Sequence, residues 1–314
     1  MKPTNESLIQ LQNNIEQVII GKTDAVQLAI ITLLAQGHLM IEDVPGVGKT
    51  SLAHALASSL DLGFRRIQFT NDILPSDITG VSIYDPEEKH FHFQKGPLFS
   101  NIVMADEINR STPRTQSALL EAMNEKQVSV DNNTYTLDDP FIVIATQNPI
   151  ESHGAHPLPE SQMDRFMMYI SMGYPAPEDE RRMLLNPPNG RRLGETPAVL
   201  SKEELLDLQS QVGEVQMDSI LVDYILSIIT ATRESRHLAL GVSPRGALIL
   251  QRAARARALF SGRDYCIPDD IKQLVVPVLC HRVIPASQHG NGNRRIGDTA
   301  VVVQDMVENL EIPV

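Results

Sequence analysis

Apolar positions recur along this chain with two different periods, and the change from one to the other divides it. Leu8, Leu11, Ile15, Val18 and Ile19 fall on one face of a helix over 8–19, and a second helix is expected over 24–36. A short apolar run, HLMI (38–41), then predicts a strand, and 50–60 a further helix. Four more short apolar runs, at 66–69, 102–105, 141–145 and 166–170, predict buried strands separated by helical stretches. Strands that are apolar throughout belong in a parallel sheet covered on both faces, so the first half reads as an α/β layer fold. After YPAP (174–177) the pattern is helical only. Ser201 and Glu204 form a capping box, 217–233 carries Ile220, Leu221, Tyr224, Ile225, Ile228 and Ile229 at helical spacing, and Ser243-Pro244 opens a helix reaching about Phe260. The proline-rich joint therefore predicts an α/β unit over 1–174 and a helical unit over 175–314.

Two stretches break the α/β rhythm. In 72–99, Val81 and Ile83, then Phe91 and Phe93, alternate with polar residues around DPEEK (85–89), which predicts a hairpin inserted between strands. A second hairpin is expected over 127–136, turning at 131–133, and 290–293 (GNGN) is a flexible loop.

Composition narrows the possible functions. At 314 residues the chain is long enough for two folded units, and 42% hydrophobic with 21% charged residues is ordinary for a globular protein. The 39 acidic and 27 basic residues leave a net charge of −12, which argues against broad contact with nucleic acid or an anionic membrane. Without tryptophan, and with 4% aromatics, there is little material for stacking bases or sugars. Two cysteines, Cys266 and Cys280, make neither a disulfide framework nor a zinc module. The apolar run 25–40 is interrupted by Gln27, Thr32, Gln36, Gly37 and His38, so no membrane span is expected there. The polar start, MKPTNESLIQ, has no secretory pattern, and a reducing cytoplasm is the expected compartment.

Chemistry gathers at the ends of the predicted strands. DVPGVGKT (43–50) departs from the phosphate-loop pattern G-x-x-x-x-G-K-[ST] only at its first position, where Asp43 replaces glycine. Gly46 and Gly48 supply backbone that can wrap an anion, Lys49 supplies charge, and Thr50 supplies a hydroxyl for Mg²⁺. A chance glycine-rich turn is the plain alternative, but the strand before and the helix after favour the loop. The strand 102–105 delivers Asp106 and Glu107, one to hold Mg²⁺ through water and the other to take a proton from an attacking water. Asn148, past the strand 141–145, can reach a γ-phosphate or orient that water, although Asn before Pro is also a common turn. Arg165 precedes the last strand and could equally be a surface arginine paired with an acid. Arg245 lies in the first turn of a capped helix, where a cation costs ~0.3–1 kcal/mol, so an anionic partner is expected for it.

The segments VPGVGKT (44–50), MADEINR (104–110), QSALLEAM (116–123), ATQNP (145–149) and LPESQMDRF (158–166) closely resemble the MoxR family of AAA+ ATPases, over nearly the whole chain from Ile20-Gly21 onward. The 72–99 insertion resembles the helix-two insert of that clade, which also holds magnesium-chelatase subunits and replicative helicases. The resemblance implies a P-loop core with strand order 5-1-4-3-2, helices on both faces, a C-terminal all-α lid, and a ring that is usually hexameric. It implies ATP and Mg²⁺ as ligands. The phosphates would rest on Val44, Pro45, Gly46, Val47, Gly48, Lys49, Thr50 and Ser51, the metal on Thr50 and Asp106, and the adenine against Ile20 and Gly21. Asn148 would be sensor one, Arg165 a finger reaching a neighbour's nucleotide, and Arg245 sensor two. The implied role is a chaperone-like remodeler that matures or activates protein complexes or inserts metal cofactors, often beside a von Willebrand A-type partner. A nucleic-acid motor and a nucleotide-gated scaffold are the competing functions; the net charge weighs against the first, and Glu107 with Arg165 against the second. SHGAH (152–156) departs from the family's usual acid and aromatic there; without a third ligand nearby, His153 and His156 are expected to be loop histidines.

Overall fold

The computed structural model describes residues 5–131, 133–149, 156–185, 197–286 and 296–312. Two helices, α1 (Asn5–Glu16) and α2 (Thr23–Leu34), lead into β1 (Leu39–Glu42), α3 (Lys49–Ser59) and β2 (Phe64–Gln68). A short α4 (Pro75–Thr79) runs directly into the hairpin β3 (Gly80–Asp85) and β4 (His90–Lys95). Then follow β5 (Ile102–Asp106), α5 (Pro113–Glu125), a second hairpin β6 (Gln127–Val130) and β7 (Asn133–Thr136), β8 (Ile142–Gln147), α6 (Glu160–Met163) and β9 (Met168–Ile170). The remainder comprises α7 (Pro177–Leu185), α8 (Lys202–Glu214), α9 (Ser219–Glu234), β10 (Leu238–Leu240), α10 (Pro244–Phe260), α11 (Pro268–Leu279), β11 (Ile284–Pro285) and α12 (Ile296–Glu308).

The main sheet is parallel, in the order β2-β5-β8-β1-β9. Counted among sheet strands alone, this is the expected 5-1-4-3-2. The three central strands are buried almost throughout, which is why their sequences show no alternation. Edge strand β2 is polar on its open side, and it runs 64–68 rather than the expected 66–69. Phe166, expected to begin the last strand, is instead a fully buried residue of the turn before β9. Helix α1 stops at Glu16, short of Ile19, whose buried side chain made the apolar stripe look longer than the helix.

Both expected hairpins are present. Val81, Ile83 and Phe91, apolar members of the alternation that predicted the first hairpin, are all exposed. The helical region carries one element that its periodicity does not announce, a two-stranded ladder between β10 and β11. The loop at 290–293 lies outside the described residues. Helices α1 and α2 pack with α8 and α10 in one apolar cluster, through Leu8, Ile30, Leu205 and Leu250 among others, so secondary structure changes at the proline joint but the core does not. Among the described residues no helix is long and apolar enough to cross a membrane.

His38, just before β1, is fully enclosed. Its Nδ1 accepts from the Val143 N–H at 3.0 Å, which leaves Nε2–H to donate to the Met123 carbonyl at 3.0 Å. The neutral ring thus joins α5, β8 and the start of β1, and burial drives its pKa down to about 4.

Candidate functional site

In a parallel sheet every strand ends on the same edge, and here register brings the polar ends level. Glu42 pairs with Gln147, and Gln68 with Asp106. Asp43, Glu107, Asn148 and Ser171 are the next residues past the tips of β1, β5, β8 and β9. The loop leaving β1 turns at Gly46 (φ 87°) and Gly48 (φ 95°), both in the left-handed region. A Cβ at Gly46 would meet nothing within 4 Å, so the backbone conformation, not crowding, calls for glycine. No side chain caps α3 behind Gly48, which leaves the first-turn N–H groups around Thr50 and Ser51 available to an anion.

Lys49 is buried, and its Nζ donates to the Asp43 carbonyl at 2.6 Å. Burial lowers its pKa, while Asp106, Asp43, Glu107 and Glu42 act in the opposite sense, so the ammonium faces four carboxylates. Asp43 itself turns away from the loop. Its Oδ2 accepts from Ser171 Oγ (3.0 Å), Met172 N (2.7 Å) and Gly173 N (2.6 Å), and its Oδ1 from Val44 N (3.0 Å). The residue that breaks the glycine pattern therefore fastens the loop to the chain leaving β9. Beside it, Tyr169 donates its hydroxyl to Glu42.

Asp106 and Glu107 share an organiser. Thr146 Oγ1 donates to Asp106 Oδ1 at 2.6 Å and accepts from the Glu107 N–H at 2.9 Å. The other oxygen of Asp106 takes a forked contact from Arg66, at 2.6 and 3.1 Å. Glu107 adopts φ 57°, uncommon for a residue with a side chain, and its Oε2 accepts from Gln68 Nε2 (2.7 Å) and Arg110 Nη1 (3.0 Å). Asn148 is buried at the tip of β8. Ile20 and Gly21 form a turn against the joint after β9: Lys22 Nζ donates to the Tyr174 carbonyl at 2.6 Å, and a Cβ on Gly21 would strike the Asp179 carboxylate at 2.2 Å.

Two of the expected residues do not join this group. Arg165 precedes β9, at the opposite edge of the sheet, and donates to the Leu120 carbonyl of α5 at 2.6 Å. Arg245, in the first turn of α10, reaches Asn124 at the end of α5 (3.2 Å) and Asp164 (3.9 Å). The two arginines thus lie near each other, around Asp164, and away from the glycine loop. Arg282 completes the cluster. Fully enclosed, it pairs with Asp164 at 2.9 Å and donates to the carbonyls of Asp164 (3.1 Å), Phe166 (2.6 Å) and Met167 (3.2 Å). Burial lowers its pKa to about 10 against the pull of Asp164, and the side chain clamps the turn that presents Arg165. His153 lies outside the described residues. Among the described residues, His156 makes backbone contacts, its N–H donating to the Asn109 carbonyl and its carbonyl accepting from Gln116 Nε2.

Sequence reasoning passed over Arg66, Gln68, Thr146 and Arg282. Gln68 and Thr146 had a usable signal, since each sits one residue from a predicted strand's C-terminal end, whereas Arg66 opens its predicted strand. Arg282 had a weaker one, a His-Arg pair inside an otherwise apolar stretch.

Residues 38–168 match the family model described as "ATPase family associated with various cellular activities (AAA)", and 230–301 match the AAA lid domain. The chain is 45% identical to "Uncharacterized protein YeaC" of Bacillus subtilis, over 96% of this chain and 93% of that one. It is 41% identical to "Chaperone MoxR1" of Mycobacterium tuberculosis, over 86% of this chain and 74% of that one. A crystal structure of a Cytophaga hutchinsonii protein superposes with a TM-score of 0.88 at 37% identity, covering 99% and 96% of the two chains.

Proposed function

Because this chain belongs to the MoxR family of AAA+ ATPases, we propose that it hydrolyses ATP with Mg²⁺ in a ring of like subunits and uses the cycle to remodel a client protein. The observation that carries this reading is the division of the catalytic set within one chain. Lys49, Asp106, Glu107 and Asn148 share one edge of the sheet, while Arg165 and Arg245 share the other. A neighbouring subunit is the natural source of the missing cations.

The residues present fit the ligands. A glycine cradle with open space above it, an uncapped helix start and a buried ammonium suit a triphosphate. Thr50 and Asp106 would hold Mg²⁺, which offsets charge on the phosphate oxygens. The loop from Val44 to Ser51 would carry the phosphates, and Ile20 and Gly21 the adenine. Glu107 accepts a proton from water once its carboxylate leaves Gln68 and Arg110, and the Asn148 amide orients that water. Arg165 and Arg245 from the next subunit stabilise the charge that develops on the phosphoryl oxygens, a contribution of the order of 10³–10⁵ in rate for a trans-acting arginine. The client is a protein complex undergoing maturation or activation, with a von Willebrand A-type protein as candidate partner, in the cytoplasm.

Mixing two inactive variants tests the division. Lys49→Ala loses nucleotide binding and Arg165→Ala keeps binding without turnover; the mixture regains part of the activity if the finger crosses between subunits. No recovery at any ratio would refute the arrangement.

A further inference from the structure

The β3–β4 hairpin has two chemically different faces. Cross-strand partners share a face, so Ser82 and Phe93 lie on one side, and Ile83, His92, Asp85 and His90 on the other. The first face is tied down: Phe93 stacks on Tyr135 of the second hairpin at 4.0 Å, and Ser82 Oγ donates to Asp131 at 2.8 Å. The second is open to solvent, and at its tip potential metal donors converge. His90 Nε2 lies 3.2 Å from Glu88 Oε2 and 3.2 Å from His92 Nδ1, and His92 Nε2 lies 3.0 Å from Glu88 Oε2. Asp85 is oriented by the Glu87 and Glu88 N–H groups (2.8 and 3.2 Å) on Oδ1, with Oδ2 3.6 Å from His92 Nε2.

We propose that Glu88, His90 and His92 form a binding site for a zinc-class divalent cation, with Asp85 as the outer carboxylate that orients His92. In tetrahedral coordination with bonds of ~2.0–2.2 Å, neighbouring donor atoms stand about 3.3–3.6 Å apart. His90 Nε2 already stands 3.2 Å from both Glu88 Oε2 and His92 Nδ1, so with His92 binding through Nδ1 and its Nε2 facing Asp85 Oδ2 at 3.6 Å, two of the three donor spacings are close to that value. Two imidazoles select a borderline transition ion over Mg²⁺ or Ca²⁺, which favour oxygen alone. The two carboxylates, of Glu88 and Asp85, also place negative charge in a small volume, which a divalent ion offsets. With three protein donors the remaining coordination is completed by water or by a group from a partner. Ile83, exposed, shares this face with the donors, while the exposed Tyr84 and Phe91 lie on the other face of the hairpin. The site is separate from the glycine loop and from the Arg165 cluster, and it does not depend on the ATPase reading.

The test uses tag-free full-length protein titrated with Zn²⁺ against a chromophoric chelator, and with Co²⁺ to read visible absorption bands from the bound ion. One equivalent is expected, with bands typical of four-coordinate Co²⁺. H90A/H92A should weaken affinity at least a hundredfold and remove those bands, Glu88→Ala at least tenfold, and Asp85→Asn a few-fold to tenfold. All four positions are half-buried or exposed, and circular dichroism checks that the variants fold. Unchanged stoichiometry and affinity in H90A/H92A, or no saturable Zn²⁺ binding by the parent protein in the presence of excess Mg²⁺, would overturn the proposal. Loss of Zn²⁺ binding in Lys49→Ala would do so as well, by placing the ion at the nucleotide site.

Discussion

Replacing Asp43 by glycine would restore the familiar phosphate-loop pattern, and it should damage the protein rather than improve it. The carboxylate receives four hydrogen bonds, three of them from the segment 171–173, and the residue is only 8% exposed. Hydrogen bonds to a charged acceptor contribute about 1.5–3 kcal/mol each, and a buried donor left unpaired costs about 1–3 kcal/mol. Water can reach Val44 and Gly173, which are half-buried, but not Met172. One fully orphaned N–H and two partly rescued donors, with ~0.5–1 kcal/mol more for the flexibility of a new glycine, give a loss of about 3–4 kcal/mol. Asp43→Asn, which keeps one carbonyl oxygen for three converging donors, should lose roughly half as much. Chemical denaturation of the parent and both variants measures this directly. Nucleotide affinity of the folded variants should change little, because Lys49 is held by the backbone carbonyl of residue 43. Equal stability of parent and glycine variant would refute the latch, and a large gain in affinity would show that the aspartate opposes the anion.

Glu107→Gln should bind ATP and not turn it over; substantial phosphate release would remove Glu107 as the base. His38 makes stability pH-dependent with a defined sign. Its folded pKa of about 4 lies below the ordinary histidine value of 6.5, so its contribution is complete above pH 6.5 and is lost as pH falls through 4, by about 3 kcal/mol in all. Urea denaturation at pH 7 and pH 4.5 should show a smaller difference for His38→Asn than for the parent, and equal differences would refute the assignment. Arg282→Ala should destabilise by roughly 3 kcal/mol or more, because the Asp164 carboxylate and three carbonyls lose their partner, and Arg282→Lys should recover only part of that, since an ammonium cannot span the same acceptors. A stability change below ~0.5 kcal/mol in Arg282→Ala would show that the clamp contributes nothing.

The strands and the glycine loop were legible because both are local. A buried parallel strand announces itself by a continuous apolar run, and the phosphate loop by a fixed spacing of glycines before a lysine. What escaped depends on register between distant segments. Asp43 meets residues 171–173 only because β1 lies beside β9, with Leu39 level with Met168. Gln68 meets Glu107 only because β2 ends level with β5. The hairpin was legible but its surroundings were not, for a related reason: alternation of Val81 and Ile83 reports that two side chains share a face, but not whether anything covers it. The β10–β11 ladder pairs segments of three and two residues more than forty positions apart, too short to leave a period in sequence.

The arginine cluster has a consequence for symmetry. Asp164 serves Arg282 and Arg245, with Arg165 next to it in sequence, so that edge of the sheet carries excess positive charge. The opposite edge gathers Glu42, Asp43, Asp106 and Glu107 around Lys49, Arg66 and Arg110, four acids against three bases. A two-fold dimer through the arginine edge would set like charge against like. The contact that the proposed function calls for would be heterologous, joining the front of one copy to the back of the next, and such contacts either close into a ring or run on as a filament. Each copy then has one accepting and one donating edge, so a variant damaged at one edge poisons a single interface in an assembly and leaves its other interface sound.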